Sequence, residues 1–563
     1  MQSPNPVPWL KKAVSFANRR GLRDKWLLLA VVLGFALGAQ GMGWGRYDCL
    51  NLDAMAFRNV FAKDRPMMHP GEFLKPPFYT YINHFAARLP AQVITGACFW
   101  KEKKERGDMY VRVRLILARL ISLIFFASLV AMVFLVTRVY FGTSSARVAA
   151  LLLATTAGMI CYQVYLTTDL ALLFMMMTSF ACACAIVRNP GMGISVAAGL
   201  LAGLATATKY NGLAVAVALP LAHLLASRGN PILACLRRPA AWACGLAVPV
   251  GFLIGNPYAL FDWPKFRSDF YYNYTTTPVY GGIVEGNGYA SFFERIPEIL
   301  GWPGTVLVCL GMLTGLGVTA FNLRRSDAWK LWVLALSVFV LYTWKIGEFP
   351  RMTTRFVLPS IPFLVILAAS GFGFLARRKF LFLPVLAGVL VYNLVCGWWM
   401  GELFREDPRM RLLALVEERM VGTTTVEASK SIPSISSMAG RDIRSVKMPG
   451  AMERAAQFDK MFAGNEDMQK LKKRWKSKEG PEWFTKASRD KRGSEWVIWC
   501  SNDVEKIVQH EYQALFDRSS GYEVVFDESS PVRPSWTYPR HPDFIENRTT
   551  VWKKIPPDGI PLS

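Results

Sequence analysis

Long apolar blocks alternate with shorter polar connections over the first 400 residues of the chain. Each block holds roughly 16 to 25 residues, and about 20 helical residues are enough to cross a ~30 Å hydrocarbon core. The pattern predicts a polytopic α-helical membrane protein of about eleven transmembrane helices. The eleven blocks lie near residues 26–43, 113–137, 146–165, 169–187, 193–208, 211–226, 239–255, 297–320, 329–345, 355–376 and 379–400.

Basic residues predict how these helices are oriented. The first block follows six Lys and Arg residues and no cleavage-site pattern comes after it, so we interpret it as a retained anchor rather than a removable signal. With the N-terminus in the cytoplasm, every inner connection is basic, as the positive-inside rule requires. These connections contain Arg138 and Arg147, Arg188, Arg228 with Arg237 and Arg238, Arg324 with Arg325 and Lys330, and Arg377 with Arg378 and Lys379.

Residues 1–400 are therefore predicted to form a transmembrane domain, and residues 401–563 a soluble domain on the outer side. Two outer loops, 44–112 and 256–296, are much longer than a simple connection needs, which favours a functional role. The sequence of the first loop is typical of amphipathic helices that lie on a membrane surface. The second is dense in Tyr and Phe, which indicates either an interfacial aromatic belt or a wall that stacks on a sugar or acceptor.

The soluble domain has a different pattern from the rest of the chain. EWVIWC and YEVVFD are typical of short strands, whereas DPRMRLLALVEERM and SNDVEKIVQHEYQALF are typical of helices. The sequence therefore predicts a small α/β domain. We find no catalytic pattern within it.

A formal charge of +24 raises nucleic acid as a partner, because Lys and Arg neutralise phosphates. The basic connections between apolar blocks explain much of this charge by membrane topology instead. We therefore expect membrane lipids as partners and no nucleic acid.

Five charged residues lie beside apolar spans. An ionised side chain there costs free energy, so each is a candidate for a functional role. On the predicted topology all five meet at the outer membrane face: Asp53, Lys75, Asp169, Lys209 and Arg355. A carboxylate can take a proton from an attacking hydroxyl or amine, while cations stabilise a departing phosphate. The set therefore favours a reaction between a lipid-borne phosphate and a polar partner.

Each of these residues also has a simpler interpretation. Asp169 could cap its helix after Thr167 and Thr168, and Lys209 or Arg355 could reach to the interface as isolated cations. Lys75, before two prolines, could be a solvated loop charge. His69 and His84 are better explained as interfacial polar residues than as metal ligands, and Gly199 with Gly203 as a close helix contact.

In chain order, the motifs resemble those of the polyprenyl-phosphate-dependent glycosyltransferases of the GT-C type. The relevant branch, glycosyltransferase family 39, includes protein O-mannosyltransferases and aminoarabinose transferases. The resemblance runs from the first outer loop to about residue 400. It rests on NLDA with Asp53, KPPF with Lys75, TTDLALLF with Asp169, GLATATKYNG with Lys209 and RFVLPSIP with Arg355.

The resemblance implies the GT-C fold and a transferase that moves a sugar from a polyprenyl-phosphate donor to a glycan, lipid or protein acceptor. By analogy Asp53 is the general base of an inverting single displacement. Lys75 and Arg355 hold the lipid phosphate, Lys209 assists, and Asp169 positions a substrate group. No cofactor is required, although Asp53 and Asp169 are candidate ligands for an optional divalent ion. A bacterial inner membrane is the implied location, with the soluble domain in the periplasm.

Two departures from the family pattern leave the sugar unassigned. Ala54 follows Asp53 where many relatives carry Glu, and Leu74 precedes Lys75 where aminoarabinose transferases tend to carry Glu. The mannosyltransferase branch has His-Pro-Pro where this chain has Lys75 and two prolines. A flippase or transporter of lipid-linked glycans, and a polymerase or ligase that joins whole glycans, remain alternative functions.

Overall fold

The computed structural model describes most of the predicted transmembrane domain and part of the soluble domain. Asp53 lies outside the described residues, as do the C-terminal helix predicted over SNDVEKIVQHEYQALF and much of the first long loop. The described residues are 23–45, 66–96, 104–227, 231–276, 287–323, 326–349, 352–419, 425–428, 444–447, 491, 494–500, 521–532, 534–539 and 548–555.

The first half of the described chain is a series of helices, most of them joined by short connections. In chain order they are α1 (Lys25–Ala39), α2 (Phe78–Asn83), a π-helical turn (His84–Arg88), α3 (Leu89–Thr95), α4 (Lys104–Phe141), α5 (Thr143–Thr155), α6 (Ala157–Val164), α7 (Asp169–Arg188), α8 (Met192–Thr208), a 3₁₀ segment (Tyr210–Val217), α9 (Ala218–Leu225), α10 (Pro231–Leu236) and α11 (Pro239–Gly255).

The second half continues in the same way and ends in five strands. Its helices are α12 (Tyr258–Phe261), α13 (Trp263–Thr276), α14 (Gly288–Leu300), α15 (Trp302–Phe321), α16 (Ala328–Gly347), α17 (Thr354–Val357), a 3₁₀ turn (Leu358–Ser360), α18 (Ile361–Leu375), α19 (Lys379–Arg405) and α20 (Pro408–Arg419). The strands are β1 (Thr425–Ala428), β2 (Arg444–Lys447), β3 (Trp496–Cys500), β4 (Tyr522–Ser529) and β5 (Arg548–Lys554).

Helices coincide with all eleven predicted apolar blocks. Within the described residues, six helical segments are long and apolar enough to cross a membrane, or up to seven if the bent pair α5 and α6 is one span. Shorter apolar helices occupy the four remaining blocks. The prediction of a polytopic α-helical membrane protein is confirmed, whereas a complete crossing by each shorter helix stays a prediction.

Two helical segments form the centre of the bundle. In α7, 72% of the apolar window is buried inside the protein, and in Thr354–Leu375, which joins α17 to α18, the fraction is 89%. A helix that is apolar on all sides can be surrounded by other helices without burying a polar stripe. The first turns of these two segments contain Asp169 and Arg355, so both charges lie where the innermost helices begin.

Small residues bring α8 and α11 into close contact. A methyl group added at Gly199 would lie 2.2 Å from the Cys244 carbonyl oxygen, and one at Gly203 would lie 2.1 Å from that of Val248. Such distances leave no space for a side chain, so the predicted close helix contact at these two glycines is confirmed.

The block predicted as one span over residues 146–165 is bent by 56° between α5 and α6. The break falls at Thr156, whose extended backbone (φ −64°, ψ 107°) ends one helix and begins the next. Its hydroxyl donates back to the Leu152 carbonyl at 2.7 Å rather than forward to cap α6. The apolar pattern alone did not indicate this break.

The soluble domain contains a mixed sheet with the strand order β2-β1-β3-β5-β4. β1 pairs in parallel with β2 and β3, whereas β5 is antiparallel to β3 and β4. The predicted strands EWVIWC and YEVVFD correspond to β3 and β4, and α20 packs its Leu412 and Val416 into the same core. The predicted α/β character is therefore confirmed.

Candidate functional site

The centre of the candidate site is a buried group of three charges. Lys209 donates from Nζ to Asp169 Oδ1 at 2.8 Å, and Arg355 donates from Nε to Asp169 Oδ2 at 2.7 Å. The Asp169 side chain is fully buried, while those of Lys209 and Arg355 are 20% and 11% exposed. Three of the five charges singled out in the sequence are therefore in direct contact, although they lie up to 186 residues apart in the chain.

Asp169 occupies the first turn of α7 without capping it. Thr168 is the cap residue and makes no side-chain capping bond. Both carboxylate oxygens of Asp169 instead accept from the two cations. The interpretation of Asp169 as a simple helix cap, and of Lys209 and Arg355 as isolated interfacial cations, is wrong.

Lys209 reaches Asp169 because the chain changes conformation between α8 and the 3₁₀ segment. Its backbone is extended (φ −159°, ψ 132°), which interrupts the helical path between Thr208 and Tyr210. The ammonium also lies 5.5 Å from the centre of the Phe356 ring, a cation–π distance. The motif GLATATKYNG thus contains a helix break, and this break directs the ammonium group of Lys209 toward Asp169.

The segment that contains Lys75 is held beside the same group. The Tyr210 hydroxyl donates to the Phe73 carbonyl at 2.6 Å, and the Phe73 N–H donates to Asp269 Oδ2 at 2.8 Å. The half-buried Lys75 interacts electrostatically with Lys209 and so adds a third positive charge to the group. We call Lys75, Asp169, Lys209 and Arg355 the cation cluster.

The charge of this cluster favours binding of an anion. Among the described residues, the cluster gathers three cations, Lys75, Lys209 and Arg355, around the one carboxylate of Asp169. Buried ion pairs give little net stability, because removing each charge from water costs several kcal/mol. Charged groups retained in such a place are candidates for function.

Residues that the sequence did not indicate fix the position of Arg355. The Asn211 amide donates to the Tyr342 hydroxyl at 2.8 Å, and that hydroxyl donates to the Phe356 carbonyl at 2.8 Å. The Tyr162 hydroxyl lies 3.0 Å from Thr354 Oγ1. Two buried tyrosines therefore hold the short helix α17 from both sides of Arg355.

The two long loops are attached to each other near the cluster. His69 Nδ1 accepts from the Gly71 N–H at 3.0 Å, so in the neutral ring Nε2 carries the proton and donates to Asp262 at 3.1 Å. The rings of Phe73, Tyr210, Phe266 and Phe270 also pack edge to face or stacked. Some aromatic residues of the second loop therefore pack against the first loop and its neighbours. A role of this loop in stacking on a sugar stays a prediction.

The described residues do not assemble a metal site. Among them no three His, Cys, Asp or Glu side chains are grouped in a way that could hold a metal ion. Both Asp169 oxygens accept from cations, an arrangement that fits a phosphate site better than a metal site. His84 is buried, and burial together with Arg88 and Arg114 lowers its pKa from the usual 6.5 to about 4. The optional ion at Asp53 and Asp169 stays a prediction.

Residues 112–254 match the family model of the dolichyl-phosphate-mannose-protein mannosyltransferases. This segment contains Asp169, Lys209 and the α8–α11 contact. The match confirms the predicted resemblance to a polyprenyl-phosphate-dependent glycosyltransferase of the GT-C type over this segment, while the motifs with Asp53, Lys75 and Arg355 lie outside it. No curated protein matches the chain.

Solved structures that resemble the chain share little of its sequence. The crystal structure of ArnT from Cupriavidus metallidurans bound to undecaprenyl phosphate is 14% identical, covers 94% of this chain and 98% of its own, and gives a TM-score of 0.49. A second match is the archaeal oligosaccharyltransferase AglB from Archaeoglobus fulgidus, in complex with an inhibitory peptide and a dolichol-phosphate. It is 12% identical, covers 84% of this chain and 69% of its own, and gives a TM-score of 0.43. The apo form of the same protein is also 12% identical, covers 85% of this chain and 70% of its own, and gives a TM-score of 0.47. At these values the likenesses carry no argument about activity.

Proposed function

We propose that the chain is a glycosyltransferase that moves a sugar from a polyprenyl-phosphate donor to a polar acceptor at the outer membrane face. The observation that carries the proposal is the cation cluster at the head of the two innermost helices. Its three cations, gathered at one buried carboxylate, suit a phosphate at the end of a lipid. The family match over residues 112–254 supports a donor of this kind.

In the reaction, an acceptor hydroxyl or amine attacks the anomeric carbon of the donor sugar. The bond from that carbon to the phosphate oxygen breaks, and polyprenyl phosphate leaves with the bonding electrons. The leaving group is already an acidic phosphate, so stabilising its charge matters more than protonating it. Lys75, Lys209 and Arg355 supply that stabilisation, and Asp169 keeps two of these cations in position.

Asp53 takes the proton of the acceptor as general base. A single displacement of this kind inverts the anomeric centre. By the positive-inside rule, the basic connections 138–147 and 228–238 support a cluster at the face opposite the cytoplasm. In a bacterial inner membrane, this is the face at which the lipid-linked sugar would be presented. Asp53 and Asp169 are the residues that would hold an optional divalent ion, which would supply further positive charge beside the departing phosphate.

A transfer assay tests the proposal. The purified protein is incubated with a labelled polyprenyl-phosphate sugar and a set of glycan, lipid and peptide acceptors. We expect free polyprenyl phosphate and a new glycosidic bond to appear in equal amounts, and neither to appear without an acceptor.

Two other results would contradict it. In sealed vesicles, lipid that crosses the bilayer without any new glycosidic bond would identify a flippase. A product that lengthens by whole glycan blocks rather than by one sugar would identify a polymerase or ligase.

A further inference from the structure

The soluble domain inserts one tyrosine into the helical bundle. Tyr538 is 3% exposed, and its ring stacks on that of Tyr392 in α19, with ring centres 5.5 Å apart and planes 14° from parallel. The Tyr392 hydroxyl in turn donates to the Trp536 carbonyl at 2.6 Å. The residues around Tyr538 are therefore attached to the bundle by ring packing and by a hydrogen bond from the Tyr392 side chain to their backbone.

Gly301 makes room for this insertion. A methyl group added there would lie 2.6 Å from the Tyr538 ring and 2.8 Å from the Tyr392 ring. The backbone of Gly301 also has φ +71°, which favours glycine. The turn between α14 and α15 is thus shaped to receive both rings.

The hydroxyl of Tyr538 is bonded on both sides to the bundle. It accepts from the Ala157 N–H at 3.2 Å and donates to Asn393 Oδ1 at 2.8 Å. The fully buried Asn393 then donates from Nδ2 to Thr155 Oγ1 at 3.3 Å. These bonds join the soluble domain to both sides of the break between α5 and α6.

A broken helix leaves backbone N–H groups without helical partners at its new start. Ala157 is the first residue of α6, and Thr156 makes no side-chain capping bond to it. The Tyr538 hydroxyl supplies a partner for one of these N–H groups. Because α6 has only eight residues, a single bond at its start has a large share in fixing its position.

Helix α6 is linked to two members of the cation cluster, to one by a side-chain contact and to the other along the chain. Its Tyr162 contacts Thr354, the residue before Arg355, and its C-terminal end leads through four residues to Asp169. A cavity beside α6 is lined by Gly158, Cys161, Tyr162, Tyr165, Glu298, Thr354 and Pro539. A shift of α6 would therefore move the Asp169 carboxylate and the Arg355 guanidinium relative to the donor phosphate.

We propose that Tyr538 is a positioning residue of the transferase. Its hydroxyl fixes the start of α6 and thereby holds Asp169 and Arg355 in position for the donor phosphate. The effect of Tyr538 on catalysis rests on the proposed function. The capping of α6 by the soluble domain is independent of that function.

The test compares Tyr538→Phe with Tyr522→Phe in the full chain. Both variants remove one buried hydroxyl, but that of Tyr522 donates to the Ser494 carbonyl at 2.7 Å within the soluble domain. We expect Tyr538→Phe to raise KM for the donor about fivefold, the effect of one net hydrogen bond, and to leave KM for the acceptor unchanged. A general folding defect would lower kcat alone, because it reduces the number of active molecules. Tyr522→Phe should leave both KM values unchanged.

Amide hydrogen exchange supplies a readout that does not depend on activity. Tyr538→Phe should accelerate exchange in residues 157–168, and Tyr522→Phe should not. Asn393→Leu removes the acceptor that orients the Tyr538 hydroxyl toward the Ala157 N–H, so it should change exchange and donor KM in the same direction, and the double variant should be no worse than Tyr538→Phe alone.

The proposal is overturned if exchange over residues 157–168 is the same in Tyr538→Phe as in the wild type, or if exchange rises while the donor KM stays constant. If the wild type transfers no sugar to any acceptor, the proposed function fails. The exchange experiment then still decides whether Tyr538 caps α6.

Discussion

Asp169→Asn is expected to cause the largest loss of stability of any single substitution in the cation cluster. The change removes the carboxylate between Lys209 and Arg355 and leaves two mostly buried cations facing each other. Breaking a buried ion pair from one side costs about 3 to 5 kcal/mol, because the remaining charge is uncompensated. We expect a clear fall in the thermal midpoint in detergent, and a loss of transfer of roughly a hundredfold as the cations move apart.

Asp24→Asn is the matched control for this substitution. Asp24 also lies at the start of a helix and pairs with an arginine, Arg147, at 2.7 Å; its side chain is 10% exposed, but that of Arg147 is 39% exposed, so solvent reaches the pair from one side. Pairs that solvent can reach contribute about 0 to 1 kcal/mol, so we expect a smaller change in thermal midpoint than for Asp169→Asn, and unchanged transfer.

A double variant separates the stability of the cluster from its function. Asp169→Asn combined with Lys209→Met removes one buried charge of each sign and should recover part of the lost stability. Transfer should stay low, because an ammonium that stabilises the departing phosphate is gone. Asp169→Asn protein that is as stable and as active as the wild type would contradict the description of the cluster.

Asp53→Asn is expected to cause the largest loss of activity without a loss of stability. An amide cannot take the proton of the attacking acceptor, and removing a general base lowers the rate by roughly 10² to 10⁴. We expect kcat to fall by this factor, while the affinity for the donor lipid and the thermal midpoint stay close to those of the wild type.

Asp48→Asn is the control, because it removes a carboxylate five residues earlier in the same loop. It should leave kcat within about twofold of the wild type, a change far below the effect of a lost general base. Transfer by Asp53→Asn at the wild-type rate would show that Asp53 is not the base.

The apolar pattern predicted the position of the helices well because lipid imposes a simple requirement on length and composition. It could not locate the break at Thr156, since ATTAG reads as a continuation of the apolar block. The break depends on groups far away in the chain, such as Asn393 and Tyr538, which bond to both of its sides. Sequence periodicity carries no information about such partners.

The same distinction applies to the site. Asp169, Lys209 and Arg355 could be singled out because an ionised group beside an apolar span is unusual. Their mutual contact could not be predicted from spacing, as it depends on how α7, α8 and α17 pack. Tyr342, which supports α17, lies in an apolar helix among other aromatic residues and gives no signal until its hydroxyl is seen to bond Phe356.

The central claim is that the cation cluster binds the phosphate of a polyprenyl lipid, and direct binding of labelled polyprenyl phosphate tests it. Lys75→Gln removes one charge of the cluster, whereas Lys330→Gln removes a charge in the first turn of α16, about 25 Å along the helix from the end that leads to Arg355. We predict that Lys75→Gln raises the Kd about tenfold, as expected for the loss of a charge-assisted contact, and that Lys330→Gln does not. Equal Kd values for the wild type and both variants, or no binding by the wild type, would contradict the claim.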